Sequence, residues 1–479
     1  MTRYFFCGIG GSGMMPLAMI LQRSGHDVCG SDRAYDRGQT PEKFKLLQDS
    51  GIKLFPQDGV GVAEQNPDIL VISSAVEPRV PDVRVAMEAG IRIEKRAKIL
   101  ADIANARRTI AVGGTSGKTT VTGMIAFILA SCGLDPSMVN GGHVVNFEQD
   151  GTGGAFYIGG ADVFVTELDE SDGSIALFTP SVAVLNNISL DHKSMDELQT
   201  LFGGFAAAAQ EVVIVNGDDP ACGNILTENI KSLSYSIDKK DSFLFCEDAA
   251  MHADSSHVRV ICPARGESCD LRIPVPGRHN ISNALAALTV ALYMGVTLRA
   301  ACDGLAQFKG IRRRFEIVGS AANVTVIDDF GHNPDKIAAT LATLKQVNGR
   351  LLLMFQPHGF GPVKMMGAAL IQTFADYLGK EDILAVPEIY DAGGTADRSV
   401  SSESLTAPLA AQGFQAMFFP SRDDVAAYFV SQARAGDRIV IMGARDDTLP
   451  GFARNIVQSL RLKAGEPCPD EKNHAKSAS

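Results

Sequence analysis

Two patterns of apolar residues alternate along the 479-residue chain. Short runs rich in Val, Ile, Leu and Phe predict buried strands, and the longer segments between them, with apolar positions three and four residues apart, predict helices. This alternation is typical of parallel α/β sheets. The predicted strands are 3–7, 26–32, 69–73 and 91–93, then 109–112, 162–167, 182–186 and 211–215, and finally 323–328, 350–355, 383–386 and 438–442.

The strands form three blocks, and a chain of this length is not expected to have a single core. We predict an α/β fold with three domains. Their boundaries are 1–104 for a Rossmann-like N-terminal domain, 105–314 for a central P-loop-type domain, 315–465 for a Rossmann-like C-terminal domain, and 466–479 for a disordered polar tail. A polar, strand-like stretch around 231–275 and a helix opening at 277–280 belong to the central domain.

The composition of the chain indicates which binding partners and which cell compartment to expect. The net charge of -11 argues against nucleic acid as the main partner, so bound phosphates need local Lys and Arg. Nine cysteines without a C-x-x-C pair indicate reduced thiols in a cytoplasmic protein. Because no apolar run approaches the ~18 residues of a membrane span, we expect neither export nor membrane anchoring. A monomer and a homodimer both remain open.

The most informative segment is T-I-A-V-G-G-T-S-G-K-T-T-V-T, residues 109–122, where a strand leads into a glycine-rich turn and a helix. Glycines let backbone N–H groups face an anion, the helix N-terminus adds positive potential, and Lys118 adds a point charge. A generic P-loop has glycine at Val112, so this turn is shortened; the alternative is a turn with only a packing role. The predicted phosphate-binding residues are Gly114, Thr115, Ser116, Gly117, Lys118, Thr119 and Thr120.

A second glycine turn, G-I-G-G-S-G-M at residues 8–14, follows the first strand. With Asp32 at the end of the next strand, it is compatible with NAD, with any nucleotide diphosphate, or with a purely structural turn. Two phosphate sites in one chain favour a protein that binds one nucleotide-linked substrate and cleaves a second nucleotide. The predicted substrate-binding residues here are Gly10, Gly11, Ser12, Gly13, Met14 and Asp32.

Carboxylates crowd the segment V-T-E-L-D-E-S-D, where Glu167 ends a strand and Asp169, Glu170 and Asp172 follow. They repel one another unless a cation is present. The segment N-N-I-S-L-D-H brings Asp191 and His192 to the same sheet edge. We therefore predict a Mg²⁺ site built from Thr119, Glu167 and His192. The alternatives are a solvated acidic loop and an ordinary polar histidine at a helix start.

Ten motifs together resemble the Mur ligase family in order and spacing. They are G-I-G-G-S-G-M, G-S-D, S-S-A, G-T-S-G-K-T-T, E-L-D-E-S-D, N-I-S-L-D-H, G-R-H-N-I-S-N-A, F-K-G-I-R-R-R-F-E, D-D-F-G-H-N-P and F-Q-P-H, within residues 3–450. The chain is most similar to members that add L-alanine to UDP-N-acetylmuramate. The resemblance implies a three-domain Mur ligase architecture and a cytoplasmic, ATP-dependent amide synthesis in peptidoglycan building.

The resemblance also implies roles for individual residues. The UDP-sugar lies on the turn at 10–14 beside Asp32 and the residues Ser73 and Ser74, and ATP lies on the turn at 114–120. His279, Asn280 and Asn283 then lie on the adenine side, and Asp328 and Asp329 are the third domain's contribution to the nucleotide. The implied catalytic residues are Lys118, His192, Arg314, which reaches the γ-phosphate, and His332, which lies nearest the incoming amino acid; His358 of F-Q-P-H binds substrate.

Two alternatives remain for these positions. Arg312 and Arg313 also fit a solvated charged linker, and His332 also fits a helix-start histidine packed under Pro334.

The chain departs from the family pattern where the acceptor binds. Ser116 and Asn333 replace family histidines, and Gly359 and Pro362 stand where the alanine-adding pattern F-Q-P-H-R-Y-x-R has arginines. An arginine fork grips a carboxylate through two hydrogen bonds, which Lys364 replaces only as a point charge. Another amino acid or a recycled murein peptide therefore stays open as acceptor, as does a paralogue that binds without turnover.

Overall fold

The computed structural model describes residues 1–466 with the exception of 12, 74–75, 151–153, 171–172, 190–192, 228, 391–397, 445 and 447, and without the side chains of 149–150. The chain divides into two compact units. One consists of 1–249, 257–273 and 280–309, and the other of 250–256, 274–279 and the chain from Gly310 onward. In the described part, no helix is long and apolar enough to cross a bilayer.

The first sheet has five parallel strands in the order β3-β2-β1-β4-β5. The strands are β1 (Arg3–Cys7), β2 (Asp27–Ser31), β3 (Lys53–Phe55), β4 (Ile69–Ile72) and β5 (Arg92–Lys95). The helices are α1 (Met15–Arg23), α2 (Arg33–Asp36), α3 (Pro41–Asp49), α4 (Val60–Gln65), α5 (Pro81–Glu88) and α6 (Arg96–Asn105). Strand order reverses direction at β1, so the glycine turn after β1 lies at the switch point where nucleotides bind in open α/β sheets.

The second sheet has ten strands in the order β15-β14-β13-β12-β11-β10-β6-β9-β7-β8. The strands are β6 (Arg108–Gly113), β7 (Ser137–Val139), β8 (Phe156–Tyr157), β9 (Val163–Glu167), β10 (Val182–Leu185), β11 (Val212–Asn216), β12 (Ser232–Ser236), β13 (Leu244–Met251), β14 (Ser256–Cys262) and β15 (Glu267–Ile273). The helices are α7 (Lys118–Ser131), α8 (Met195–Ala207), α9 (Pro220–Asn224), α10 (Arg278–Tyr293) and α11 (Leu298–Leu305).

This sheet confirms two sequence predictions. The polar stretch around 231–275 forms β12 to β15, and the helix predicted at 277–280 is α10. Strand β6 lies between β9 and β10, both parallel to it. The loops after these three strands therefore leave the same edge of the sheet, where the phosphate turn, the acidic loop and the N-N segment meet.

The third sheet has six strands in the order β16-β17-β21-β18-β19-β20, with β16 antiparallel and the others parallel. The strands are β16 (Glu316–Ala321), β17 (Val324–Asp329), β18 (Leu351–Gln356), β19 (Ile383–Pro387), β20 (Gln415–Phe419) and β21 (Arg438–Gly443). The helices are α12 (Pro334–Lys345), α13 (Phe360–Tyr377), α14 (Glu403–Ala411), α15 (Arg422–Gln432) and α16 (Leu449–Ala464).

Both faces of the third sheet are covered. Leu351, Leu353 and Phe355 of β18 belong to one core cluster, and Leu352 and Met354 belong to another. A strand buried on both faces is apolar at every position, which explains its continuous run L-L-L-M-F. The edge strands β16 and β20 escaped sequence prediction because they are only partly buried and lack such a run.

Candidate active site

The phosphate turn between β6 and α7 requires glycine at two positions. Gly114 and Gly117 have φ angles of +130° and +81°, in the left-handed region that side chains rarely enter. A Cβ on Gly114 would lie 3.0 Å from the carbonyl oxygen of Asn187, and one on Gly117 would lie 2.6 Å from Asn283 Oδ1. The turn therefore packs closely against the segments that contain Asn187 and Asn283.

Two asparagines after β10 hold the turn in place. Asn187 Oδ1 accepts hydrogen bonds from the Ser116 N–H and from Thr115 Oγ1, both at 2.8 Å. The side-chain amides of Asn186 and Asn187 both donate to the Ser116 carbonyl at 2.9 Å. Ser116 therefore takes part in the turn through its backbone. Asn186 and Asn187 were not predicted as site residues, although an N-N pair at the end of a strand beside β6 is a signal that could have identified them.

The same network reaches two predicted adenine-side residues. Buried Tyr235 donates its hydroxyl to Asn186 Oδ1 at 2.6 Å. Asn186 also donates to Asn283 Oδ1 at 3.1 Å, and Asn283 donates to Asn280 Oδ1 at 3.2 Å. The structure thus brings Asn280 and Asn283 of α10 to the phosphate turn, whereas His279 lies exposed in the first turn of that helix.

Lys118 is paired within the chain. Its Nζ donates to the Gly114 carbonyl and to Glu170 Oε2, each at 2.7 Å. Only 18 % of the Lys118 side chain and 9 % of the Glu170 side chain are exposed. The crowded carboxylates of the acidic loop predicted a nearby cation, and Lys118 is such a cation for Glu170.

The predicted metal-binding residues Thr119 and Glu167 are adjacent. Thr119 Oγ1 donates to Glu167 Oε2 at 2.8 Å. A hydroxyl and a carboxylate are the oxygen ligands that Mg²⁺ prefers, and this ion usually takes its remaining ligands from phosphates and water. Among the described residues no group of three or more His, Cys, Asp or Glu side chains is arranged to hold a metal. Asp172, Asp191 and His192 lie outside the described residues.

The N-terminal glycine turn is tied to Asp32. The Gly10 N–H donates to Asp32 Oδ2 and the Ala34 N–H donates to Asp32 Oδ1, both at 2.8 Å. A Cβ on Gly10 would lie 2.9 Å from the ring of Phe44. Asp32 thus shapes the turn and caps α2, and its contact with uridine or sugar stays a prediction.

Two cations that were not among the predicted site residues, Lys43 and Arg96, flank this turn. Lys43 Nζ donates to the Gly10 carbonyl at 3.1 Å. The Arg96 guanidinium lies 3.0 Å from where a Cβ on Gly13 would be. Both suit an anionic ligand on the turn.

The other predicted residues of this site have local roles or lie outside the described part. The Met14 N–H donates to the Gly11 carbonyl, and the Val76 N–H donates to the Ser73 carbonyl. Ser12 and Ser74 lie outside the described residues.

His332 and His358 come together after β17 and β18. Their ring centroids are 5.3 Å apart and the rings are nearly perpendicular. His332 Nδ1 lies 2.9 Å from the carbonyl oxygen of Phe330. Burial, opposed by this hydrogen bond, lowers the pKa of His332 to about 4. Since a carbonyl only accepts, Nδ1 carries the proton in the neutral ring and Nε2 is left as an acceptor.

Asn333, which replaces a family histidine, caps α12. Its Oδ1 accepts the Lys336 N–H at 3.0 Å, and Pro334 follows at the first helical position. Asparagine is among the best N-cap residues, and proline suits the first turn because its N–H would have no helical partner. This departure from the family therefore has a structural role.

Arg313 and Arg314 both lie over the ring of Phe330, at 5.0 and 4.8 Å from its centroid. Arg313 is only 9 % exposed and donates to the carbonyls of Gly443 and Asp446. The alternative of a solvated charged linker is therefore wrong for Arg313. Arg312 is more exposed and pairs with Glu316.

Asp328 and Asp329 point into the second unit. Asp329 accepts hydrogen bonds at 2.9 Å from the Phe315 N–H, the Gly331 N–H and Thr340 Oγ1. Asp328 is wholly buried, 3.6 Å from Arg313 Nε, and burial raises its pKa to about 7. The structure does not bring either carboxylate to a surface of this unit, and their role toward the nucleotide stays a prediction.

Gly359 and Pro362 are suited to the start of α13. Gly359 has φ +79° and ψ 145° and donates its N–H to the Tyr390 carbonyl at 2.9 Å. Pro362 lies in the first turn of the helix, where the missing N–H costs nothing. An arginine at 359 would have to adopt a backbone conformation that is nearly restricted to glycine.

Three family models match the chain in order. They are the Mur ligase family catalytic domain at 3–108, the Mur ligase middle domain at 112–291, and the Mur ligase glutamate ligase domain at 313–445. The chain belongs to the Mur ligase family.

Among known proteins, the chain is similar to UDP-N-acetylmuramate--L-alanine ligases. It is 34% identical to that of Gloeobacter violaceus, with 96% of each chain covered, and 32% identical to that of Syntrophomonas wolfei, covering 92% of this chain and 93% of the relative. The solved UDP-N-acetylmuramate-alanine ligase of Thermotoga maritima superposes with a TM-score of 0.75 at 25% identity, over 97% of this chain and all of that one. A murein peptide ligase of Psychrobacter arcticus gives 0.67 at 25% identity, over 96% and 99%.

Proposed function

We propose that the protein is an ATP-dependent ligase that joins L-alanine to the carboxylate of UDP-N-acetylmuramate in the cytoplasm. The proposal rests on the phosphate turn, which hydrogen bonds from Asn186 and Asn187 hold in place. Lys118 lies at the end of this turn, and Thr119 donates a hydrogen bond to Glu167. Full-length relatives that are UDP-N-acetylmuramate--L-alanine ligases support the choice of substrates. The proposal holds for a monomer and a homodimer alike. The domain boundaries 1–104, 105–314 and 315–465 are part of the proposal.

The chemistry follows from the weak electrophilicity of a carboxylate. The carboxylate attacks the γ-phosphorus of ATP, ADP leaves, and an acyl phosphate forms; the amine then attacks the acyl carbon and phosphate leaves. Lys118 and the N-terminus of α7 offset the charge that develops on the transferring phosphoryl group. Mg²⁺, held by Thr119 and Glu167, would neutralise phosphate charge when bound, with His192 as the further predicted ligand.

His332 suits the amine step. The attacking nitrogen must be neutral, so the ammonium group of the acceptor has to lose a proton. Because His332 is neutral at pH 7 and Nε2 is its acceptor atom, it can orient that group by accepting a hydrogen bond. Arg314 is proposed to meet the γ-phosphate, and His279, Asn280, Asn283, Asp328 and Asp329 the rest of the nucleotide.

The test is an incubation of the protein with ATP, Mg²⁺ and UDP-N-acetylmuramate, with the amine varied. Phosphate release and the mass of the product are followed together. We expect phosphate release to depend on L-alanine and the product to be UDP-N-acetylmuramoyl-L-alanine. Phosphate release that never depends on an amine would contradict the proposal.

A second acceptor class is favoured by Gly359 and Pro362, which lack the arginines of the alanine-adding pattern. The similarity to a murein peptide ligase makes a muropeptide the alternative acceptor. Including L-alanyl-γ-D-glutamyl-diaminopimelate among the amines decides between the two, because a muropeptide ligase would use it in preference to L-alanine.

A further inference from the structure

Cationic and imidazole groups gather near the carboxyl ends of β17, β18 and β19. Arg314 and Lys336 are close enough to His332 to disfavour its protonation, and His358 contacts it directly. Ligands of open α/β sheets bind outside the carboxyl ends of the strands. These groups offer hydrogen-bond donors to an anion, and an amino acid brings a carboxylate.

Arg398 adds a guanidinium group near the carboxyl ends of these strands. Its guanidinium carbon lies 5.9 Å from the ring centroid of Phe360, the first residue of α13. Phe360 is only 9 % exposed, so its ring is anchored, while Arg398 itself is exposed. The guanidinium is thereby placed beside the helix start that follows His358 and Gly359.

The start of α13 is itself suited to a carboxylate. The N–H groups in the first turn of this 18-residue helix have no partner within the helix, and no acidic residue lies in that turn. Gly359 and Gly361 have no side chains to cover these groups. Lys364 lies one turn further along the helix than Phe360 and offers only a point charge.

We propose that Arg398, together with the first turn of α13, binds the carboxylate of the acceptor amino acid and so takes over the recognition that arginines at 359 and 362 would provide. The proposal rests on the proposed ligase function. It places the carboxylate at Arg398 and the amine toward His332, so that the two ends of the acceptor meet two different parts of the edge. The acceptor is then an amino acid with a free α-carboxylate next to its amine.

The test compares wild type with Arg398→Met, Arg398→Lys and the matched control Lys380→Met, in which the replaced cation is also exposed and also lies over an aromatic ring, that of Phe414. Michaelis constants for L-alanine, L-alaninamide and ATP are measured by phosphate release. L-alaninamide has no carboxylate and separates loss of this contact from general damage. The ATP constant shows whether the nucleotide site of each variant is intact.

In Arg398→Met we expect the constant for L-alanine to rise about 10- to 150-fold, the range of a charge-assisted hydrogen-bonded pair. The constants for L-alaninamide and ATP should stay within about twofold of wild type. Arg398→Lys should recover part of the loss, and Lys380→Met should show none. An equal loss for L-alanine and L-alaninamide, an unchanged L-alanine constant, or an equal loss in Lys380→Met would overturn the proposal. A wild-type protein inactive with every amine would instead refute the proposed function.

Discussion

Lys118 is the residue whose loss should be most damaging to turnover. It is the only Lys or Arg between Arg108 and Lys193, so no other residue of this segment can supply its charge. Lys118→Ala should abolish phosphate release. Because it also leaves Glu170 buried without its cation, we expect a lower free energy of unfolding, measured with urea.

The double variant Lys118→Ala/Glu170→Gln is the control. It removes the uncompensated carboxylate, so stability should return while activity does not. Turnover of Lys118→Ala within tenfold of wild type would contradict the assignment of the phosphate turn.

Glu167 should set the magnesium requirement. Glu167→Gln replaces an anionic oxygen with a neutral one at a hard cation, so more Mg²⁺ should be needed for half-maximal activity. The measurement is a Mg²⁺ titration of phosphate release, with exposed Glu42→Gln as the control. Identical titrations of wild type and Glu167→Gln would mean that Glu167 only holds Thr119.

His332 should make stability depend on pH. Its pKa is about 4 in the folded chain and ~6.5 when unfolded, so between these values the unfolded state binds more protons. Its contribution to stability is therefore present above pH 6.5 and is lost as the pH falls toward 4. His332→Gln removes this pH-dependent contribution to the free energy of unfolding.

We expect the stability of wild type relative to His332→Gln to decrease from pH 7 to pH 4.5 in urea unfolding. The other titrating groups are shared by both proteins and cancel in the comparison. A constant difference across this range would show that His332 does not titrate as proposed.

At the scale of elements, the start of α13 offers a matched pair of glycines. Gly359 has a positive φ, whereas Gly361 does not, and nothing lies within 4 Å of a Cβ added to Gly361. Gly359→Ala should therefore lower the free energy of unfolding by about 1–3 kcal/mol. Gly361→Ala should raise it by about 0.4–1 kcal/mol, because alanine reduces the conformational entropy of the unfolded chain. Urea unfolding of both variants checks this, and equal effects would contradict the strained conformation.

The same helix start shows where element prediction succeeded and failed. Strands such as β18 were predictable because burial on both faces makes every position apolar. The edge strands β16 and β20 were not, since half-buried strands carry no such run. The positive φ of Gly359 was equally hidden, because it depends on the hydrogen bond to Tyr390, which is distant in sequence.

At the scale of the whole molecule, the sequence predicted the fold class and the motifs that carry phosphate chemistry. These signals are local, since a glycine turn before a helix is written in consecutive residues. The contacts that complete the sites are not local. Asn187 reaches Ser116 across 71 positions, and Arg398 reaches Phe360 from another loop. Only the folded chain shows such pairs.

The cysteines also belong to the whole molecule. None of the eight described cysteines forms a disulfide, and seven are buried; Cys132 is the exception. Burial raises the pKa of Cys7 and Cys29 to about 12, which suppresses the reactive thiolate. In a Cys468→Ser variant, a thiol reagent should modify one thiol quickly and seven only on unfolding. Several fast thiols in the native protein would contradict this burial.

The ion pair between Lys118 and Glu170 has a kinetic consequence. Glu170 is tethered next to the lysine, so in the proposed function it competes with phosphate oxygens at a high effective concentration. Nucleotide then binds Lys118 only when the pair parts, and the re-formed pair favours the departure of ADP and phosphate. We therefore expect Glu170 to lower the affinity for nucleotide and to shorten the residence time of the products, although this carboxylate need not touch the reacting atoms.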